Sequence, residues 1–168
     1  YADCDANTAA RDLQCIEEWC GGDNHPWSFV FPQNAVGNLD ALADHGFRCF
    51  RGRTPRFGVE PTPTAFLPTK AEGLVEVPAC VAYRHDEGRN VLYRNLPRAV
   101  KVTGMKAGVE YAARRGRVFH LVLHPKDFAV EDGQRLLDGL ESWLAFVARK
   151  RDAGDVEVLP MGAVAERA

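Results

Sequence analysis

The sequence lacks the short signatures that announce common chemistries. There is no GxGxxG run, Walker loop, nucleophile elbow or HExxH, so nucleotide-dependent, serine-hydrolase and zincin activities have no sequence support. The five cysteines, Cys4, Cys15, Cys20, Cys49 and Cys80, are odd in number and form no CxxC pair, which argues against a disulfide framework and a structural zinc site. Cys15, Cys20 and Cys49 fall in otherwise apolar stretches and are expected as small buried hydrophobes. Cysteine usage of this kind sets a reducing, cytoplasmic compartment as the expectation. No apolar run approaches the ~20 residues of a bilayer span, and no signal peptide is visible. A net charge of -2 gives no global field for nucleic acid or an anionic membrane, despite a local basic run of Arg48, Arg51, Arg53 and Arg56. Neither partner is expected. With 46% hydrophobic and 26% charged residues, the chain has the composition of a globular domain.

The most informative stretch that is present runs from Val118 to Pro125. It reads as a buried strand that delivers a histidine to its C-terminal end. Alternation puts Val118, His120, Val122 and His124 on one face and Phe119, Leu121 and Leu123 on the other. Both faces are mainly apolar, which favours a parallel strand covered on two sides. Pro125 cannot continue a ladder, so the strand should stop at His124. At about 3.3 Å per residue the two histidines lie roughly 13 Å apart along it, too far to share one ion. His120 is expected as a satisfied core histidine. For His124, two readings stand: a general acid or base at a strand end, or a hydrogen-bonded rim histidine.

Helical spacing of Ala9, Leu13, Ile16 and Cys20, with Asn7 or Thr8 as cap and Gly21-Gly22 as stop, predicts an opening helix. Ser28 to Phe31 predicts a strand ended by Pro32. Asn34 should then cap a helix carrying Val36, Leu39, Leu42 and Ala43 that closes at Gly46, and Phe47 to Phe50 should be the next strand. This strand-helix-strand unit signals a parallel α/β layer. From Arg53 to Arg98 regularity fails: six of the ten prolines lie here, at Pro55, Pro61, Pro63, Pro68, Pro78 and Pro97, and only short runs near Val75 and Val91 suggest strands. An irregular insertion is expected, either a functional rim or a surface loop with a hairpin. Thr103 should cap a helix ending at Arg114-Arg115-Gly116, whose basic last turn suits the helix dipole. A long helix is predicted from about Asp132 to Arg151 on the stripe Leu136, Leu137, Leu140, Leu144 and Val147. Val156 to Leu159 should form a last strand and Met161 to Arg167 a terminal helix. No internal repeat is visible.

Other histidines carry weaker signals. His25 lies in the loop Asp23-Asn24-His25-Pro26, where adjacent residues rarely converge on one metal. His45 ends a helix, and His85 sits in a charged turn with Arg84, Asp86 and Glu87. Carboxylates are scattered, and none can be placed beside His124.

Three segments together carry a resemblance: Ser28 to Asn34 (SFVFPQN) with the helix after it and Gly46 to Gly52 (GFRCFRG); Phe119 to Pro125 (FHLVLHP); and Val158 to Gly162 (VLPMG). In order and spacing these resemble the C-terminal part of polysaccharide deacetylases of the NodB-like, carbohydrate esterase family four type, over nearly the whole chain. The resemblance implies an α/β fold, a portion of a distorted (β/α) barrel, with residues 1–168 forming one deacetylase-like domain that has an irregular insertion at about 53–98. It implies a divalent metal, zinc in most members, held by an aspartate and two histidines. A metal-activated water would attack an N- or O-acetyl carbonyl of a polysaccharide or sugar. In this chain His124 matches the late-strand general acid, and Val122 the apolar lining of the acetyl pocket. Pro32 falls in a motif whose next backbone amide, at Gln33, would help hold the oxyanion. Many members have arginine where Val30 stands, and Arg51 is the nearby substitute. The paired aspartates and HxxxH ligands lie upstream of the matching part, and this chain has no Asp-Asp pair or second HxxxH at its start. Metal binding is therefore expected only with a complementing N-terminal segment before Tyr1. Without one, the alternative is a carbohydrate-binding or partner-complementing module with no bound metal; for Trp27, Phe57 and Tyr83 two readings stand, stacking on sugar rings there or ordinary packing.

Overall fold

The computed structural model describes residues 1–21, 26–52, 65, 67–83, 96–129 and 133–168. These fall into two compact units, one of residues 1–53, 68–78 and 159–168, the other of residues 54–67 and 79–158. Together they form a mixed α/β chain with two small sheets.

The first unit opens with α1 (Ala6–Cys20), one residue earlier than Asn7. Its cap is Asp5 rather than Asn7 or Thr8. One carboxylate oxygen accepts from the Asn7 and Thr8 amides, both at 3.1 Å, and the other from the Thr8 hydroxyl at 2.7 Å. Aspartate outranks threonine here because both oxygens find donors. These bonds, the Thr8 hydroxyl foremost, hold the Asp5 carboxyl below its ordinary range. Native Asp5 thus gives up its proton more readily than in the unfolded chain. The cap should act fully above the ordinary carboxylate pKa and be lost as pH falls through the lower folded value. Hydrogen exchange across α1 should accelerate in that acid window, and Asp5→Asn, which keeps an acceptor, should flatten the dependence.

Strand β1 (Ser28–Val30) is followed by a 3-10 helix (Pro32–Asn34), and only then by the short α2 (Leu39–Asp44). The continuous helix expected from Asn34 is broken because Asn34 and Asn38 both take left-handed backbone, φ 57° and 52°. Asn38 is held there: its amide nitrogen donates to the Tyr1 and Cys4 carbonyls at 2.9 and 3.0 Å. The N-terminal segment crosses tightly beside it, since a Cβ on Gly37 would lie 2.6 Å from Ala2 Cα.

Strand β2 (Cys49–Arg51) begins later than Phe47, and the hairpin of β3 (Thr69–Ala71) and β4 (Leu74–Glu76) follows. The sheet order is β1-β2-β4-β3, with β1, β2 and β4 parallel and β3 antiparallel at the edge. Glu72 and Gly73 both have positive φ, 50° and 79°, as a two-residue primed hairpin turn demands. The run near Val75 is therefore an interior strand, not a decoration on a loop. The Val91 run lies outside the described residues.

Leu13, Phe31, Leu42, Phe47, Phe50 and Leu74 form the core of this unit. Its rings meet edge-on: Phe29 lies 5.0 Å from Phe31 and 5.5 Å from Phe47, and Phe31 lies 5.7 Å from Phe50, the arrangement aromatic quadrupoles favour. Cys49 is buried, and burial pushes its thiol up to about 11. It is an inert packing residue, as expected. Cys20 is half-buried. Cys15 is exposed, a correction, because the buried stripe of α1 runs through Ala9 and Leu13.

The second unit pairs β5 (Val81–Tyr83) in parallel with β6 (Leu121–Leu123). Helix α3 (Arg98–Arg115) begins five residues before Thr103, which is internal, and ends at Gly116 with φ 59° as its basic last turn predicts. After β6 come a second 3-10 helix (Pro125–Phe128) and α4 (Gly133–Asp152). Tyr83, Val102, Met105 and Leu136 make the core, with Phe119, Leu121, Leu140 and Trp143 against it. The stripe of α4 is rotated from the expected one: Gly139 is buried and Trp143 packs on Phe119, while Leu144 is exposed.

Residues 156–159 form no strand. Val158 is 63% exposed; alternation without a neighbouring edge to pair with does not make a ladder. The terminal helix, α5 (Met161–Glu166), does form, within the first unit. Glu166 pairs with Arg48 at 2.7 Å.

Candidate functional site

The β6 strand is shorter than the Val118–His124 reading, and the reason is chemical. The His120 amide donates to the Cys80 thiol sulfur at 3.1 Å, so the ladder with β5 starts only at Leu121. In return the His120 carbonyl accepts from the Cys80 amide at 2.8 Å. His120 is half-buried at this junction. Phe119 and Leu121 face the helical core as expected, whereas Leu123 is 38% exposed.

His124 follows β6 directly, half-buried, with extended backbone (φ −118°, ψ 132°). Pro125 terminates the strand as predicted and starts the 3-10 turn. The His124 carbonyl accepts from the Asp127 amide at 3.0 Å, which holds the backbone on its C-terminal side, while the β5/β6 pairing ends at Leu123 on the other. Val122, two residues back, is buried and paired with Ala82. Asp127 is a residue the sequence reading passed over. It is only 6% exposed, and its Oδ2 is buried without a hydrogen-bond partner. Its position three residues after a strand-ending histidine was the available signal.

Pro32, Gln33 and Arg51 belong to the first unit. Val30 and Arg51 are register partners across the parallel β1/β2 pair, so the 3-10 helix and Arg51 both stand at the C-terminal ends of strands. That is where open α/β sheets bind ligands. Pro32 supplies no N–H, and the Gln33 amide, at the start of the turn, has no acceptor within it. The Arg51 guanidinium donates from Nη2 to Asn34 Oδ1 at 2.7 Å. The structure thus gathers Pro32, Gln33, Asn34 and Arg51 at one sheet end, and Val122 and His124 with Asp127 at another.

Among the described residues no three His, Cys, Asp or Glu side chains gather as a metal ion needs. His25, His85, Arg53, Arg56 and Phe57 lie outside the described residues. His45 is half-buried, its Nδ1 3.2 Å from a Glu17 carboxylate oxygen. Of the two readings of Tyr83, packing holds: it is fully buried, and its hydroxyl donates to the Leu136 carbonyl at 3.2 Å. Trp27 is 44% exposed, but one face is taken by Arg48, whose guanidinium carbon lies 3.1 Å from the ring centroid. Among the described residues no helix is long and apolar enough to cross a membrane.

Comparison with family models, with curated proteins and with solved structures gives no match to this chain.

Proposed function

We propose that this chain is the part of a polysaccharide deacetylase-like hydrolase that carries its general acid, and that the complete protein removes acetyl groups from an N- or O-acetylated sugar or polysaccharide. The observation that carries this reading is His124: a half-buried imidazole immediately after a parallel strand, its backbone fixed by Pro125 and by the Asp127 amide. An imidazole at such a strand end stands where a general acid would hand a proton to a leaving amine or alkoxide. The order of the FPQN, HxxxHP and PMG segments adds the deacetylase resemblance, and with it the distorted barrel.

By the resemblance, Val122 is assigned to the wall of the acetyl pocket, the Gln33 amide to the oxygen that gains charge, and Arg51 to holding the saccharide. The attacking water would be activated by a divalent ion, zinc by the resemblance. Among the described residues no three ligand side chains gather for such an ion; by the resemblance its ligands would come from a complementing segment.

Acetate release from acetylated chito- and xylo-oligosaccharides by the complete protein is the test. Release that stops with a chelator and returns with zinc is the expected result. Saccharide binding with no acetate released, even with zinc added, would replace this reading with that of a carbohydrate-binding module.

A further inference from the structure

Three non-glycine residues among those described stand at positive φ: Asn34, Asn38 and Glu72. Backbone of this kind favours glycine, and another residue is kept where its side chain or its turn requires it. Glu72 has positive φ as the first residue of the two-residue hairpin turn. Asn38 is required by its two bonds to the N-terminal segment. Asn34 makes a different use of its side chain, whose Oδ1 accepts from Arg51 Nη2 at 2.7 Å.

That bond spans from the residue ending the turn after β1 to the last residue of β2. A free arginine side chain samples many rotamers and loses them on binding, and a guanidinium edge anchored beforehand reduces that loss. Asparagine is suited to the task because it tolerates left-handed backbone and offers a carbonyl oxygen at short reach.

We propose that Asn34 is a positioning residue, orienting the Arg51 guanidinium to donate to an oxygen of the acetylated saccharide. This rests on the reading above that assigns Arg51 to substrate binding.

The two roles open to Asn34 predict opposite results for Asn34→Gly. A purely structural asparagine at φ 57° is replaced by the residue that its backbone prefers, so melting temperature and saccharide affinity should hold or rise. A positioning asparagine is lost, and KM for the acetylated oligosaccharide should rise about tenfold, with a smaller effect on kcat, in a protein that melts as before. Asn34→Asp, which keeps an oxygen at the same reach, should restore KM to within about twofold. The double variant Asn34→Gly/Arg51→Ala should be no worse than Arg51→Ala alone, because Asn34 acts through Arg51. All variants are made in the complete protein, with calorimetric binding of the same oligosaccharide measured beside turnover. Should Asn34→Gly fail to fold, Asn34→Asp and Asn34→Ser carry the comparison, with serine, whose hydroxyl falls short of the guanidinium, expected to bind weakly. An unchanged KM in Asn34→Gly, or losses that add in full in the double variant, overturns the proposal and leaves the functional reading intact. A parent protein that neither binds nor deacetylates the oligosaccharide overturns both.

Discussion

His124→Ala should lower acetate release from an acetylated oligosaccharide by about 10²- to 10⁴-fold in the complete protein, the range for removal of a general acid. The fold should be nearly untouched. The bond that organises this corner runs between the His124 carbonyl and the Asp127 amide, which alanine preserves, and the imidazole makes no capping bond to the turn that follows. The leaving group makes the test specific. A sugar amine or alkoxide must be protonated as it departs, whereas a nitrophenolate departs without help, so nitrophenyl acetate hydrolysis should fall far less than oligosaccharide deacetylation. Equal losses on both substrates would assign His124 to something other than proton donation. Undiminished turnover on the oligosaccharide would remove it from the reaction.

The second large effect concerns the core of the unit that holds His124. Gly139→Ala in mid-helix should help α4 by about 1 kcal/mol on propensity alone. The structure predicts the opposite sign. A Cβ there would overlap the Tyr83 hydroxyl and would sit 3.2 Å from both Arg98 Cδ and Val102 Cγ2. Tyr83 cannot swing away: it is fully buried, its hydroxyl is tied to the Leu136 carbonyl, and burial pushes its pKa up, so it remains a neutral donor. Overpacking of this kind costs about 1 to 3 kcal/mol, and with an immobile hydroxyl placing this site at the upper end we expect a net loss of about 2 kcal/mol after the propensity gain. Tyr83→Phe removes the overlapping oxygen. The same glycine substitution in that background should cost less than about 1 kcal/mol, read by denaturant melts and by hydrogen exchange in α3 and α4. Equal costs in both backgrounds would mean that the hydroxyl is not what Gly139 accommodates.

How far the sequence foretold this architecture depended on whether each signal was local. Pro125 stopped β6 and Gly116 stopped α3 because an absent N–H and an absent Cβ act on their own residue. Strand lengths were misread because pairing is not local: β6 loses its first residues to the Cys80 thiol, forty positions earlier in the chain, and Val156 to Leu159 alternates suitably but finds no partner among the described residues. The same applies to the site. His124 was legible as a polar residue where an apolar run stops. Asn34 looked like a helix cap, and only the cross-strand meeting with Arg51 shows what its side chain does. Asp127 was passed over because its burial is set by packing, not by its neighbours in sequence.

The hairpin of β3 and β4 bears on how this chain could be shortened or grafted. In sequence it sits within a proline-rich stretch that invites trimming, yet β4 is the plank between β2 and the edge strand, and β5 follows it by five residues as the partner of β6, the strand that leads into His124. Cutting from Arg53 to Arg98 would remove two strands that other strands lean on, one in each sheet. Any minimal version of this domain must retain residues 68–83, and insertions there would be read as damage to the scaffold rather than as changes to a loop.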